Sequence, residues 1–221
     1  MKILKNFVVA IALLLMFASC TEDKKPIVQP PVLRDYATQY NEDIFKIENY
    51  LKSHSVTVVD HQGFADDQNS AFAIVPNLDP NSIWGSDAAT PKSSLLIKLA
   101  TVGGVAHKIY YIKFRNGVGV FPIVNSKVTV SYKGFLLTND TVYFDQSPDA
   151  GVNFEMNNLI FGWKEILPEF KMGNITGANQ YTDFGAGVMF LPSALGYYEK
   201  NAGTIPPYSP LVFPIKLYKV L

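Results

Sequence analysis

Between Val128 and Trp163 the chain reads VTVSYKGFLLTNDTVYFDQSPDAGVNFEMNNLIFGW, and residue types suited to chemistry collect there. One carboxylate, Asp145, follows directly on an aromatic, Phe144, and two aliphatics and a tryptophan, Leu159, Ile160 and Trp163, lie close by in sequence. These types describe a hydrophobic site with a single carboxylate at its rim. Other reactive side chains form no pattern. His54, His61 and His107 are scattered without metal-ligand spacing, and no cysteine joins them. Asp66-Asp67 lacks the remaining positions of a calcium loop. These residues are expected at the surface, and no metal or cofactor is implied.

The site residues need strands to hold them. Val128, Val130 and Tyr132 alternate with Thr129, Ser131 and Lys133, the period of a half-buried strand. Lys133-Gly134 punctuates it, and Asn139-Asp140 marks a turn before a second run, Val142 to Asp145. A third run, Val152 to Met156, leads to Trp163. Lys164 to Phe170 makes only a short helix because Pro168 interrupts it. Asn174 to Gly187, polar and glycine-containing, reads as an insertion loop. Strands follow at Val188 to Leu191 and Leu211 to Leu217. Upstream, Ile109 to Phe114 is a strand, and Val56 to Val58, Ala71 to Val75 and Leu95 to Leu99 are weaker candidates. Trp84 is an anchor in a loop. Tyr36, Tyr40, Ile44, Ile47 and Leu51 recur at steps of three and four, so they share one face of a helix capped by Asp35 or Thr38. That stripe packs against its own domain or against a partner, a homodimer through this helix being one arrangement. Many strands with few helices indicate an antiparallel α+β domain.

Composition narrows the class. Of 221 residues 48% are hydrophobic, enough for a core, and 19 basic residues balance 19 acidic ones. A basic patch for nucleic acid is missing. Lys2 and Lys5 precede an apolar run, Phe7 to Phe17, too short for an ordinary membrane helix. The run ends in Phe17-Ala18-Ser19-Cys20, and Cys20 is the only cysteine. Small residues directly before a cysteine resemble a bacterial lipoprotein signal, which implies lipidation of Cys20 and removal of residues 1–19. Without Lys2 and Lys5 the chain carries 17 basic and 19 acidic residues, net −2. Residues 20–33, with prolines at 26, 30 and 31, read as a tether. The implied location is the bacterial cell envelope, with the rest of the chain soluble and anchored by lipid at the outer membrane.

From His107 to Leu221 the chain resembles an FKBP-type peptidyl-prolyl isomerase domain. The matching pieces are Val128-Thr129-Val130-Ser131-Tyr132-Lys133-Gly134, Phe144-Asp145-Gln146-Ser147, Leu159-Ile160-Phe161-Gly162-Trp163, Leu191-Pro192-Ser193-Ala194-Leu195-Gly196-Tyr197, Ile205-Pro206-Pro207 and Leu211-Val212-Phe213, in the family's order. The resemblance implies a strongly bent antiparallel sheet wrapped around a short helix starting near Trp163. Residues 34–106 would then be a smaller, helix-containing N-terminal region. It also implies a pocket of Tyr132, Phe144, Asp145, Phe154, Leu159, Ile160, Trp163, Tyr197, Ile205 and Phe213. Trp163 would floor it, and the Ile160 N–H and Tyr197 hydroxyl would hold substrate carbonyls. Three features depart from the family pattern: no arginine follows Asp145, Tyr198 replaces a glycine where it would stiffen or crowd the loop, and the 174–187 insertion is long.

The implied activity suits these residues. Rotation about a peptide C–N bond faces a barrier of about 18–20 kcal/mol. A dry apolar pocket with fixed donors favours the twisted bond and needs no nucleophile. One expectation is therefore a prolyl isomerase acting on proline-containing exported proteins or peptides. The other is a binding or chaperone module that grips such segments with little turnover.

Overall fold

Alternation along the strands decides the architecture, because helices cover both faces of the main sheet. The computed structural model describes residues 33–58, 72–76, 81–87, 89 and 91–221. Its elements in chain order are α1 (Tyr36–Ser53), β1 (His54–Val58), β2 (Phe72–Pro76), β3 (Leu95–Val102), β4 (Val105–Arg115), β5 (Lys127–Leu136), β6 (Asn139–Gln146) and β7 (Val152–Glu155). Then come α2 (Phe161–Ile166), β8 (Asn174–Gly177), β9 (Gln180–Thr182), β10 (Gly185–Leu191) and β11 (Leu211–Val220). The main sheet runs β3-β4-β10-β11-β5-β6, antiparallel throughout, and β7 pairs with the first half of the same β5 edge whose second half takes β6. Two strands sharing one edge bend the sheet around α2.

All seven residues of β10 are buried. Met189 and Leu191 join the core around Trp163, Ile166, Leu167 and Phe170, on and after α2. Val188 and Phe190 point the other way, into a core with Ile47, Tyr50 and Leu51 of α1 and with Trp84. Period-2 alternation places neighbours on opposite faces, so β10 is apolar throughout. Each fully buried Ile or Leu in these cores contributes about 1.5–3 kcal/mol.

Asp35 caps α1, accepting from the Thr38 N–H at 2.9 Å. The Tyr36-to-Leu51 stripe packs within its own chain. Tyr36 stacks on Tyr198 at 4.5 Å, and Tyr40 meets the His107 ring at 4.7 Å. Ile44, Ile47 and Leu51 enter the second core. Trp84 anchors its loop, donating its indole N–H to the Asp87 carbonyl at 2.9 Å and meeting Tyr110 edge-on.

Several local expectations change. Lys133-Gly134 does not end its strand: β5 continues to Leu136, with an irregularity in its pairing beside Gly134. A Cβ at Gly134 would lie 2.5 Å from Phe144 and 2.8 Å from Phe213, so glycine serves ring packing there. The β5–β6 turn is Leu137-Thr138, and Asn139-Asp140 already belongs to β6. Residues 174–187 form a hairpin, β8–β9, and the start of β10 rather than a loop. Tyr181 stacks on Tyr218 of β11 at 4.7 Å, holding the hairpin against the sheet. The short helix starts at Phe161, before Trp163, and Pro168 sits in the 3₁₀ turn that ends it.

His107 is buried rather than exposed, with Nδ1 2.8 Å from the Val105 carbonyl. Burial holds its pKa below the usual histidine value. His54 is half-buried against Tyr50, their rings 3.7 Å apart. His61, Asp66, Asp67 and residues 1–32 lie outside the described residues. The described residues from Leu33 onward belong to one compact unit, and position 107 falls inside β4. The 106/107 division therefore cuts a strand of the main sheet.

Candidate functional site

An aromatic cup forms where β5, β6, β7, α2 and β11 meet. Trp163 lies at its base, 3% exposed, with Tyr132 and Phe213 each 5.2 Å away and nearly perpendicular. Phe154 stands 6.0 Å from Trp163, and Phe144 stands 5.6 Å from Phe213. Edge-to-face contacts of this kind add about 0.5–1.5 kcal/mol per pair beyond area burial. The Trp163 ring gives the cup an apolar floor, and its indole N–H is buried with no acceptor among the described residues. The cavity has a volume of about 190 Å³ and is lined by Tyr132, Phe144, Asp145, Phe154, Asn158, Leu159, Ile160, Trp163, Tyr197 and Phe213.

Nine of the ten expected pocket residues come together here. Ile205 is not among the residues that line the cavity: it lies buried in the same core as Trp163 and Phe213 and bridges to Ala202 in the approach to β11. Asn158, a polar residue in the turn before Leu159, lines the cavity instead. Its type gives no period or motif to mark it, so position alone makes it part of the site.

Polar groups sit at the rim. The Tyr132 hydroxyl donates to Asp145 Oδ2 at 2.7 Å, across β5 and β6. Asp145 has this tyrosine as partner where no arginine follows. Ser147 fixes the Tyr132 backbone, its hydroxyl accepting from the Tyr132 N–H at 2.9 Å and its own N–H donating to the Tyr132 carbonyl at 3.0 Å. Burial, and then the Asp145 carboxylate, push the Tyr132 hydroxyl above the usual tyrosine pKa. The same two causes raise Tyr197. Both hydroxyls therefore stay protonated and able to donate at neutral pH.

The Tyr197 hydroxyl has no hydrogen-bond partner among the described residues. Ile160 occupies the position before α2, where its carbonyl accepts from the N–H groups of Trp163 at 3.1 Å and Lys164 at 3.3 Å. Its own N–H is unpaired among the described residues, as helix starts leave their first donors. Two unoccupied donors thus flank an apolar floor. The arrangement can seat a small apolar ring and hold carbonyl oxygens beside it, and it presents no nucleophile with a paired base.

Tyr198 does not crowd this pocket. It adopts a left-handed conformation, φ 52°, and its ring turns to α1, stacking on Tyr36. Two other cavities, of about 410 and 360 Å³, are larger. One lies between α1 and the β5–β6 turn and the other beside β8–β9, and neither shares a lining residue with the cup.

Residues 121–218 match the family model for FKBP-type peptidyl-prolyl cis-trans isomerases. The chain is 34% identical over 123 residues to a probable FKBP-type peptidyl-prolyl cis-trans isomerase FkpA of Neisseria meningitidis, covering 54% of this chain and 39% of that protein. It is also 34% identical over 119 residues to the peptidyl-prolyl cis-trans isomerase Mip of Coxiella burnetii, covering 52% and 46%. The match thus spans less than half the length of these two curated relatives. With the FK506-binding protein 1 of Gibberella zeae the identity is 33% over 110 residues, which is 47% of this chain and 90% of that one.

Proposed function

The chain belongs to the FKBP-type peptidyl-prolyl cis-trans isomerase family, and we propose that it catalyses rotation about X-Pro bonds in exported proteins at the bacterial envelope. The observation that carries this reading is the cup itself: an apolar floor at Trp163 flanked by two free donors, the Tyr197 hydroxyl and the Ile160 N–H. Unaided X-Pro isomerisation takes tens to hundreds of seconds, because C–N resonance holds the bond planar. In the twisted state that resonance is broken and the carbonyl carries less charge separation. An apolar cup costs this state less desolvation than it costs the planar one. Trp163 seats the proline ring, while Tyr197 and Ile160 hold neighbouring carbonyls so that rotation is confined to one bond. These contacts stabilise the twisted state more than either planar isomer, which is how binding becomes rate.

Tyr132 and Asp145 act as a pair in this scheme. Their hydrogen bond keeps the carboxylate at the rim and the Tyr132 ring upright against Trp163. The envelope assignment rests on the signal-like segment ending at Cys20, which would carry the lipid and leave residues 20–33 as a tether. Proline-containing segments of exported proteins are the proposed substrates.

A binding module without turnover is the competing reading. The absent arginine favoured it, yet Tyr132 supplies Asp145 with a partner; Tyr198 also favoured it, yet its ring faces α1. A protease-coupled assay on the intact protein separates the two. Faster cleavage of a cis-prolyl peptide, in proportion to protein concentration, supports the enzyme. Binding of the peptide with an unchanged cleavage rate overturns it.

A further inference from the structure

The isomerase reading leaves a buried carboxylate without a task. Asp43, on the face of α1 that meets the sheet, is 0% exposed. No lysine or arginine of the described residues forms an ion pair with it; Lys46 acts on it only at a distance. Its partners are neutral donors. Oδ2 accepts from the Ser193 N–H at 2.7 Å and the Ser193 hydroxyl at 2.5 Å, and Oδ1 accepts from Gln39 Nε2 at 2.7 Å. A buried carboxylate without a cation is costly to stability and, as a source of stability, weak. What it fixes is geometry.

The geometry leads to the cup. Ser193 opens the 3₁₀ turn after β10, and its carbonyl accepts from the N–H groups of Gly196 and Tyr198, both at 3.0 Å. Those two amides lie on either side of Tyr197. Asp43 thus holds the donors of Ser193, and Ser193 holds the backbone before and after Tyr197. A second grip reinforces the first: the Tyr198 hydroxyl donates to the Arg34 carbonyl at 2.5 Å, and its ring stacks on Tyr36. Arg34 in turn donates to Gln39 Oε1 at 2.8 Å, which orients the Gln39 amide toward Asp43.

We propose that Asp43 is a positioning residue for prolyl isomerisation: from α1 it fixes the Ser193-to-Tyr198 turn and so aims the Tyr197 hydroxyl into the cup. The inference rests on the reading that Tyr197 donates to a substrate carbonyl. Chain outside the isomerase motifs, 150 residues upstream of Ser193, then sets the geometry of the pocket.

A double-mutant cycle in the full-length protein tests this. Asp43→Asn retains the shape but puts a donor in place of one carboxylate oxygen. Gln39 cannot turn its own oxygen toward that donor without losing Arg34. Tyr197→Phe removes the hydroxyl alone. Asp43→Asn in the parent background should lower kcat/KM several-fold; in the Tyr197→Phe background the same change should cost less than about twofold, because coupled residues are not additive. Equal losses in both backgrounds, or no loss from Asp43→Asn, overturn the proposal. If Tyr197→Phe itself leaves kcat/KM unchanged, the donor role of Tyr197 fails first, and the positioning role falls with it. Ser193→Ala, which keeps the N–H and deletes the hydroxyl, runs through the same cycle should Asp43→Asn prevent folding. Amide exchange at Gly196 and Tyr198 provides a second readout: both should exchange faster in Asp43→Asn and Ser193→Ala, and unchanged exchange contradicts the link from Asp43 to the turn.

Discussion

Tyr197→Phe separates orientation from packing, since the ring stays and only a hydroxyl without a partner in the folded protein is lost. An ordinary hydrogen bond is worth about 0.5–1.5 kcal/mol net. The isomerisation rate should therefore fall a few-fold to about tenfold, with an unchanged urea midpoint. Trp163→Ala is the opposite case. It removes a buried ring that touches Tyr132, Phe154 and Phe213 and should cost about 3–5 kcal/mol of stability as well as the floor of the cup. Asp145→Ala falls between. Asp145 is exposed, so the fold survives, but the Tyr132 hydroxyl loses its acceptor and activity should drop. Most of the cup was legible in the sequence because each expected wall residue but Phe154 belongs to an ordered motif, and Phe154 lies in a short strand-like run between two of them. Ile205 packs in the core beneath the cup without lining the cavity, because the Ile205-Pro206-Pro207 motif marks a turn without saying how deep its side chain lies. The partners of Asp145 and Asp43 were not legible, since contacts across strands or 150 residues apart leave no local pattern.

At the scale of elements, Glu169 ties the turn after α2 to the sheet. It is 2.9 Å from Lys98 on β3 and 3.6 Å from Lys113 on β4, and it accepts from the Tyr111 hydroxyl at 3.3 Å. Burial alone would raise its pKa; Lys98, Lys113 and Tyr111 outweigh that and hold it below the usual glutamate value. A lowered folded pKa means stability that is complete above the unfolded value and lost as the pH falls through the folded one. Urea midpoints taken from neutral to acid pH should therefore fall less steeply for Glu169→Gln than for the parent, and parallel curves would contradict the assignment. Tyr198→Gly relieves a left-handed residue, worth about 1–2 kcal/mol, but gives up a buried ring and its stack on Tyr36. The lost burial and stacking outweigh that relief, so the change should destabilise by about 1–3 kcal/mol on chemical denaturation. Most strands were legible from alternation, whereas strand ends and the β8–β9 hairpin were not. Gly134 reads as a breaker yet lies inside β5, because Phe144 and Phe213 need the space a Cβ would fill. The polar 174–187 stretch hides a hairpin whose anchor, Tyr181 on Tyr218, is a contact with β11.

For the whole molecule, the second core is decisive. Tyr110, Val188, Phe190 and Val212 of the main sheet pack with Ile47, Tyr50 and Leu51 of α1. A fragment beginning at His107 loses β3, the start of β4 and this cover, so it should show no cooperative unfolding transition, whereas residues 33–221 should show one. The family motifs all lie after His107, so the sequence suggested a boundary that the packing does not respect. The proposed anchor is tested separately: mass spectrometry of membrane-extracted protein should find lipid on Cys20, and Cys20→Ala should release the protein or block its maturation. Turnover at the cup remains the central claim, and NMR exchange spectroscopy of an X-Pro peptide with a trace of the intact protein measures it most directly. Cis–trans exchange should rise well above the uncatalysed rate, linearly with protein concentration. Peptide resonances that shift on binding while exchange stays at the uncatalysed rate would contradict it.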